Sequence, residues 1–156
     1  MAANYGKQFE QKFKEDFLKL NGSTIDRLYD TTFGYKSIKQ VCDFIGYVMP
    51  NIFYLECKSV QGNTFPLSKL TQYDKLKEKV GIPGVRAGVI IWFYDHYKVV
   101  YVPISTITKL KNDNKKSINI KMLDENLYYL IDIPSKKLRI FLDSDYSVLL
   151  NLRDGD

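Results

Sequence analysis

The sequence predicts an α/β fold in which a mixed central β-sheet is flanked by helices. Three observations support this prediction: a helical periodicity near the N-terminus, two pairs of strand-like runs, and a second helical stretch between those pairs. Helices packed on a sheet are a common way to cover its apolar faces. At 156 residues the chain is long enough for one ordinary domain, so we expect a single domain over 1–156 without a linker.

The N-terminal segment is expected to form a helix and a short strand. Apolar side chains recur on one face of Tyr5–Leu20, which is typical of an amphipathic helix, and Asn21-Gly22 would end that helix. Glu15 and Asp16 are expected to face solvent or the helix end. A strand is expected within 23–31.

The next segment predicts a hairpin followed by a second helix. Val41–Met49 and Ile52–Val60 are rich in β-branched and aromatic residues, and Pro50-Asn51 suits the centre of the turn between them. Gly62–Pro66 is expected to be a loop. The following stretch, Ser68–Val80, is expected to be a helix.

A second hairpin is expected after a glycine-rich break at Gly81–Gly84. Its strands are Val85–Tyr94, which is apolar enough to be a buried central strand, and Tyr97–Ile104. Asp95-His96 would form the turn, and the only histidine is therefore expected to be a turn residue. Lys109–Lys116 is expected to be a basic loop, and the rest of the chain to form short strands or helices.

Composition excludes some functions and favours others. The net charge is +5, and the 23 basic residues are 19 Lys and 4 Arg, which suits contact with phosphates better than base reading. One histidine is too few for paired-histidine phosphodiesterases or histidine-ligated zinc hydrolases. Cys42 and Cys57 are expected to be buried reduced thiols. The polar N-terminus and the lack of a long apolar run predict a cytosolic protein.

The strand Ile52–Val60 carries a charged pair on one face. Because side chains alternate along a strand, Glu56 and Lys58 share a face, whereas the apolar Leu55 and Cys57 face the core. A turn centred on Pro50-Asn51 would place Asp43 directly opposite Lys58 and diagonal to Glu56. A register shift of one residue would turn Asp43 away.

These side chains predict a metal-dependent hydrolase. Two carboxylates on one surface repel each other unless a cation lies between them, and Mg²⁺ or Mn²⁺ suits oxygen ligands. Such an ion would polarise a phosphoryl oxygen and activate water, and Lys58 could stabilise the hydroxide or the developing charge. Glu10 lies roughly 20° from Phe17 around the first helix, where a metal ligand and an ordinary surface carboxylate are equally consistent.

The order of several motifs resembles one nuclease family. Asp43, Glu56 and Lys58 after a helix with a glutamate match the pattern of PD-(D/E)XK nucleases. Gly46, the stretch NTFPL at 63–67, Gln72 in the second helix and KSI at 116–118 extend the match. Together, over roughly residues 4 to 123, they resemble RecU-type Holliday junction resolvases.

The resemblance implies a restriction-endonuclease-like core and metal-dependent cutting of four-way DNA junctions by a homodimer. It implies Mg²⁺, replaceable by Mn²⁺, held by Asp43, Glu56 and Glu10, with Cys57 contributing only its backbone carbonyl. Lys58 would be the catalytic cation and Gln72 an active-site polar residue. The residues expected at the DNA are Thr64, Phe65, Lys69, Lys115 and Lys116.

Two departures from the family leave alternatives open. Only 21–42 separate the first helix from Asp43, so the family's junction-entering stalk is expected to be missing or much shortened, and Val41-Cys42 replaces a threonine pair. A compact version of this kind would suit a bacteriophage of a low-GC host. The alternatives are a restriction- or repair-type endonuclease acting on duplex DNA and an inactive DNA-binding protein of the same fold.

Overall fold

A computed structural model of the chain describes residues 4–153, and within that range it contains four helices and twelve strands. The helices are α1 (Tyr5–Phe17), α2 (Tyr73–Lys77), α3 (Ile104–Asn112) and α4 (Met122–Glu125). The strands are β1 (Thr24–Arg27), β2 (Thr31–Phe33), β3 (Lys36–Ile38), β4 (Phe44–Val48), β5 (Asn51–Val60), β6 (Thr64–Pro66), β7 (Val85–Phe93), β8 (Lys98–Pro103), β9 (Ser117–Asn119), β10 (Ile131–Ile133), β11 (Ser135–Lys137) and β12 (Leu142–Ser144). Three 3₁₀ turns cover Leu67–Lys69, Tyr94–His96 and Tyr146–Asn151.

The central sheet is mixed, as predicted. Its strand order is β1-β4-β5-β7-β8-β10, and only the β5–β7 pair in this sheet is parallel. Helix α1 packs on one face, while α2 and α3 pack on the other. The predicted fold class is therefore confirmed, and β7 is the buried central strand that its apolar sequence indicated.

The alternation of side chains along β5 matches the prediction. Phe53, Leu55 and Cys57 are buried in the core beneath α1, together with the phenylalanines of that helix. Each large apolar side chain buried there contributes about 1.5–3 kcal/mol to folding. Tyr54 packs against the opposite core, on the side of α2 and α3. The charged residues of β5 therefore share the face that the sequence predicted.

Two glycines allow aromatic rings to lie directly on the sheet. A Cβ at Gly46 would lie 3.0 Å from two ring atoms of Phe17, and a Cβ at Gly88 would lie 2.3 Å from the ring of Tyr101. Gly46, which follows Asp43 by three residues, therefore has a packing explanation: its lack of a side chain leaves room for the ring of Phe17.

The β4–β5 register differs from the prediction by two residues. The pairs run from Val48–Asn51 to Phe44–Leu55, because Met49-Pro50, not Pro50-Asn51, forms the turn. Pro50 takes the third turn position, which a proline can occupy when the preceding peptide bond is cis, as it is here. Continued by one residue, this register places Asp43 opposite Glu56, not Lys58. A shift of two residues preserves the face on which a side chain lies.

Three other predicted segments have different boundaries. The helix expected over 68–80 is a 3₁₀ turn followed by the short α2, with buried residues every three positions at Leu67, Leu70, Tyr73 and Leu76, a spacing that suits 3₁₀ turns. The loop expected over 62–66 contains β6, which pairs with the distant β9. The basic loop expected from residue 109 begins inside α3, whose apolar face is buried.

Several smaller predictions are confirmed. The N-terminal helix ends at Phe17, three residues earlier than predicted, and the strand expected within 23–31 is β1. His96 lies in the turn between β7 and β8. Cys42 and Cys57 are free and buried, and burial raises the pKa of Cys42 to about 12 and that of Cys57 well above its ordinary value. Within 4–153, the helices are too short or too polar to cross a membrane.

An ionic cluster joins the C-terminal segment to α1. Asp16, which was expected to face solvent or the helix end, lies in the last turn of α1 and is buried in this cluster. Asp16 is 2% exposed, and its Oδ2 accepts a hydrogen bond of 3.0 Å from the backbone N–H of Ser144 in β12. Its Oδ1 lies 2.6 Å from Lys12 Nζ and 3.0 Å from Lys19 Nζ. Both lysines also reach Asp143 Oδ1, at 3.0 and 2.5 Å. The two cations therefore join the helix to β12.

We expect Asp143→Asn to destabilise the protein in a pH-dependent way. Hydrogen bonds from Lys19 and Lys12 hold the pKa of Asp143 well below its ordinary value. Its contribution to stability is thus complete above the unfolded-state pKa of about 3.9 and is lost as the pH falls through the lower folded-state pKa. The difference in urea midpoint between wild type and variant should be constant above about pH 5 and shrink below about pH 4. A difference that grows on acidification would contradict this account.

Candidate active site

The site lies where β4 leaves β5. Ladder pairing between these strands stops at Phe44–Leu55, so the remaining residues of β5 continue as an edge, which we call the free edge (residues 56–60). Asp43 stands at the bend just before β4 and is 15% exposed. Its Oδ2 accepts a hydrogen bond of 2.9 Å from the backbone N–H of Cys57. A carboxylate thus takes the place of the next backbone acceptor in the ladder.

Glu56 is a buried carboxylate beside this bend. It is 2% exposed, its Oε1 lies 3.2 Å from Lys58 Nζ, and its Oε2 has no hydrogen-bond partner among the residues that the structure describes. Burial and the neighbouring Asp43 raise the pKa of Glu56 to about 7, against the lowering effect of Lys58. An unpartnered buried carboxylate oxygen is costly, so this geometry favours a bound cation.

Arg27 is a central residue of the site that sequence analysis missed. Its guanidinium lies 2.9 Å from Glu10 Oε2 and 3.0 Å from Asp43 Oδ1, and it also donates to the backbone carbonyls of Leu28 and Asp43. It therefore joins α1, β1 and the bend before β4. The sequence held little signal for it, because both of its carboxylate partners are sixteen or more residues away.

Glu10 faces the site and pairs with Arg27, which also pairs with Asp43. Burial and then the charge of Asp43 raise the pKa of Glu10, while Arg27 and Lys58 oppose that shift. The Arg27 guanidinium is paired with both carboxylates and so links Glu10 to Asp43. Whether Glu10 binds a metal directly stays a prediction.

The donor set suits a hard divalent cation. Carboxylate oxygens of Asp43 and Glu56 face the same edge, and oxygen donors are what Mg²⁺ and Mn²⁺ prefer. Within the described residues, no three His, Cys, Asp or Glu side chains are gathered closely enough to form a complete metal cage. Arg27 supplies the positive charge between Asp43 and Glu10 in this arrangement.

Gln72 and the residues of β6 lie on the same side of the sheet as Glu56. Gln72 precedes α2, is half-buried, and accepts a hydrogen bond of 3.1 Å from Thr71. Thr64 is half-buried and accepts a hydrogen bond from Asn119. Phe65 is 2% exposed and packs in the core under α2 and α3, so its side chain is a packing residue and has no face left for DNA.

Three predicted DNA-binding lysines are exposed and lie near one another. The backbone N–H of Leu67 donates to the carbonyl of Lys116 at 2.9 Å, which brings 115–116 beside the 3₁₀ turn that contains Lys69. Lys69, Lys115 and Lys116 are all exposed. The fold thus gathers positive charge from two segments that are far apart in sequence.

The segment in which the family's stalk was expected to be missing or much shortened contains a short hairpin. Strands β2 and β3 pair with each other and leave the sheet between Arg27 and Asp43, where Leu28 N–H donates to the carbonyl of Asp43 at 2.7 Å. At its tip Phe33 is 85% exposed and Tyr35 is fully exposed. The hairpin therefore begins and ends at the candidate active site.

A mixed sheet in which one carboxylate precedes a strand and a second carboxylate and a lysine lie on the neighbouring strand is typical of the restriction-endonuclease-like class of nucleases. The sequence matches the family of recombination protein U (RecU) over residues 11–142, and the chain belongs to that family. The prediction of a Holliday junction resolvase is thereby confirmed at the level of the family.

Among solved structures, the chain is similar to Hjc of Archaeoglobus fulgidus, a Holliday junction resolvase from an archaeal hyperthermophile. The TM-score is 0.57 at 17% sequence identity, and the match covers 79% of this chain and 95% of Hjc. At this identity the similarity shows the fold. No curated protein matches the chain significantly.

We expect Arg27→Gln to destabilise the metal-free protein by about 1–3 kcal/mol, because charge-assisted hydrogen bonds to two partly buried carboxylates are lost. Added Mn²⁺ should reduce the difference in stability between wild type and Arg27→Gln, because the ion neutralises those carboxylates. Urea unfolding in chelator and in Mn²⁺ measures both effects. Lys98→Gln is the matched control, since its exposed pair with Asp132 is worth less than about 1 kcal/mol. Equal stability of Arg27→Gln and the control would contradict the bridging role.

Proposed function

We propose that this chain is a divalent-metal-dependent endonuclease that resolves four-way DNA junctions by phosphodiester hydrolysis. One observation carries the proposal: the buried, unpartnered carboxylate oxygen of Glu56 lies at the free edge with Asp43 and Lys58 as neighbours. Membership of the RecU family supports the substrate and the reaction.

We propose Mg²⁺ as the cofactor, with Mn²⁺ as a substitute, bound by the carboxylates of Asp43 and Glu56. The backbone carbonyl of Cys57 is the third proposed ligand, because the N–H and C=O of one strand residue point to the same side, and that N–H already donates to Asp43. Such an ion, when bound, polarises the phosphate and lowers the pKa of coordinated water.

The protein's own cations have separate proposed roles. Lys58 is held 3.2 Å from Glu56 Oε1, where its ammonium would stabilise a hydroxide or the charge that develops on the phosphate. Arg27 would keep Glu10 and Asp43 at a fixed separation, so Glu10 would act mainly through Arg27. Gln72 is proposed as an additional polar residue on the same side of the sheet.

The proposed DNA path crosses the free edge between the lysine cluster and the β2–β3 hairpin. Lys69, Lys115 and Lys116 offer exposed charges for phosphates, and Thr64 lies in the adjoining strand. The exposed rings of Phe33 and Tyr35 would meet bases at the branch point. Two symmetric cuts require two such sites, so we propose a homodimer.

We expect purified protein with Mg²⁺ or Mn²⁺ to cut a synthetic four-way junction at paired positions. Asp43→Asn should abolish cutting, because an amide is a poorer ligand than a carboxylate for a hard cation. Lys58→Ala should slow cutting by about 10²–10³-fold through loss of charge stabilisation. Both variants should still bind the junction in gel-shift assays, since neither removes the exposed lysines.

Linear duplex and Lys14→Ala, a change on the surface of α1, are the controls. Equal cutting of junction and duplex would support the restriction- or repair-type alternative and overturn the junction proposal. Binding without cutting in either metal would support the inactive DNA-binding alternative.

Replacing Phe33 and Tyr35 with Ser should reduce the preference for the junction while leaving slow cutting intact.

A further inference from the structure

A second groove lies on the α1 side of the sheet, beyond the end of β5. It encloses about 940 Å³, within the range of ligand clefts, and is lined by Tyr5, Gln61, Tyr94, Tyr97, Lys137 and Arg139. We call it the aromatic–basic groove. None of these residues belongs to the site around Glu56.

Its aromatic side chains form flat surfaces with cations beside them. Tyr5 and Tyr94 are stacked at 4.7 Å between ring centroids and 24° between planes. Lys137 Nζ lies 3.9 Å from the centroid of Tyr97. Rings that stack bases, next to cations that contact phosphates, are the combination used by proteins that bind single strands. Asp95, an acidic residue that lines the groove, accepts a hydrogen bond from the backbone N–H of Gly62.

The floor of the groove includes the buried indole ring of Trp92. Trp92 is 3% exposed and packs against Tyr5 and Tyr94 at 5.8 and 5.6 Å between centroids. Its Nε1 has no hydrogen-bond partner in the described part of the chain. This N–H is itself buried, so the indole would sense a ligand in the groove through the two tyrosines that it contacts.

Two elements, β5 with the residue that follows it and α1, carry residues of both the active site and the groove. Gln61 follows Lys58 by three residues, roughly 10 Å along an extended chain. Tyr5 precedes Glu10 by five residues, roughly 7.5 Å along α1. A strand leaving the free edge would therefore reach the groove within a few nucleotides.

We propose that the aromatic–basic groove binds an unpaired DNA strand that flanks the cleaved phosphodiester. Bases would stack on Tyr5 and Tyr94, and Lys137 and Arg139 would contact phosphates. The proposal rests on the proposed nuclease function for the identity of the strand. It adds a binding site that would favour substrates whose strands separate at the branch point.

The test measures binding of a short labelled oligothymidylate to the full chain in chelator, where cutting cannot occur. Wild type should bind it, and the emission of Trp92, the only tryptophan, should change on saturation. Lys137→Glu should weaken binding by roughly 5- to 10-fold and reduce the salt slope by about 0.7 or more. Lys136→Glu is the matched control, because neighbouring side chains of β11 point to opposite faces.

Aromatic variants test the stacking role separately. Tyr94→Ala should weaken binding by about 5- to 100-fold. Tyr97→Asn tests the exposed ring without loss of folding, because asparagine tolerates the left-handed φ of 52° at that position. Equal affinity of the Lys137 and Lys136 variants, or an unchanged Trp92 emission at saturation, would overturn the groove proposal. Junction cutting is measured separately in Mg²⁺, so failure of the nuclease proposal would show there and not in oligonucleotide binding.

Discussion

The site depends on one hydrogen bond, from the backbone N–H of Cys57 to the carboxylate of Asp43. At this point β4 turns away from β5, and the side chain of Asp43 takes over as the hydrogen-bond acceptor. The same bend leaves residues 56–60 of β5 unpaired on that side and places Asp43 opposite Glu56. The end of the β4–β5 ladder and the position of the candidate site therefore share this one hydrogen bond, which explains why the aspartate stands immediately before its strand.

The cost of this arrangement is a concentration of negative charge in a poorly solvated place. Glu56 is almost fully buried, and burial together with Asp43 raises its pKa to about 7. Lys58, paired with Glu56, and Arg27, paired with Asp43, offset part of the repulsion. A site that is destabilised in this way gains from binding a cation, and such local destabilisation is typical of functional centres.

The features that depend on local sequence were predicted correctly. Alternation along Ile52–Val60 predicted which side chains face the core. That prediction stayed correct although the turn was misplaced, because a register shift of two residues preserves the face on which a side chain lies. The fold class followed from the same periodicities. Local patterns could not reveal Arg27, whose partners lie on other elements, or the pairing of β6 with β9. Local patterns also could not reveal the aromatic–basic groove, because four separate segments of the chain form it.

We propose that Asp43, Glu56 and the carbonyl of Cys57 hold one catalytic metal ion at the free edge of β5. Anomalous diffraction from crystals soaked in Mn²⁺ tests it most directly. We predict a single strong peak within about 2.0–2.3 Å of an oxygen from each of these three residues, with Lys58 nearby. A peak elsewhere, or saturating Mn²⁺ without any peak between Asp43 and Glu56, would contradict the account.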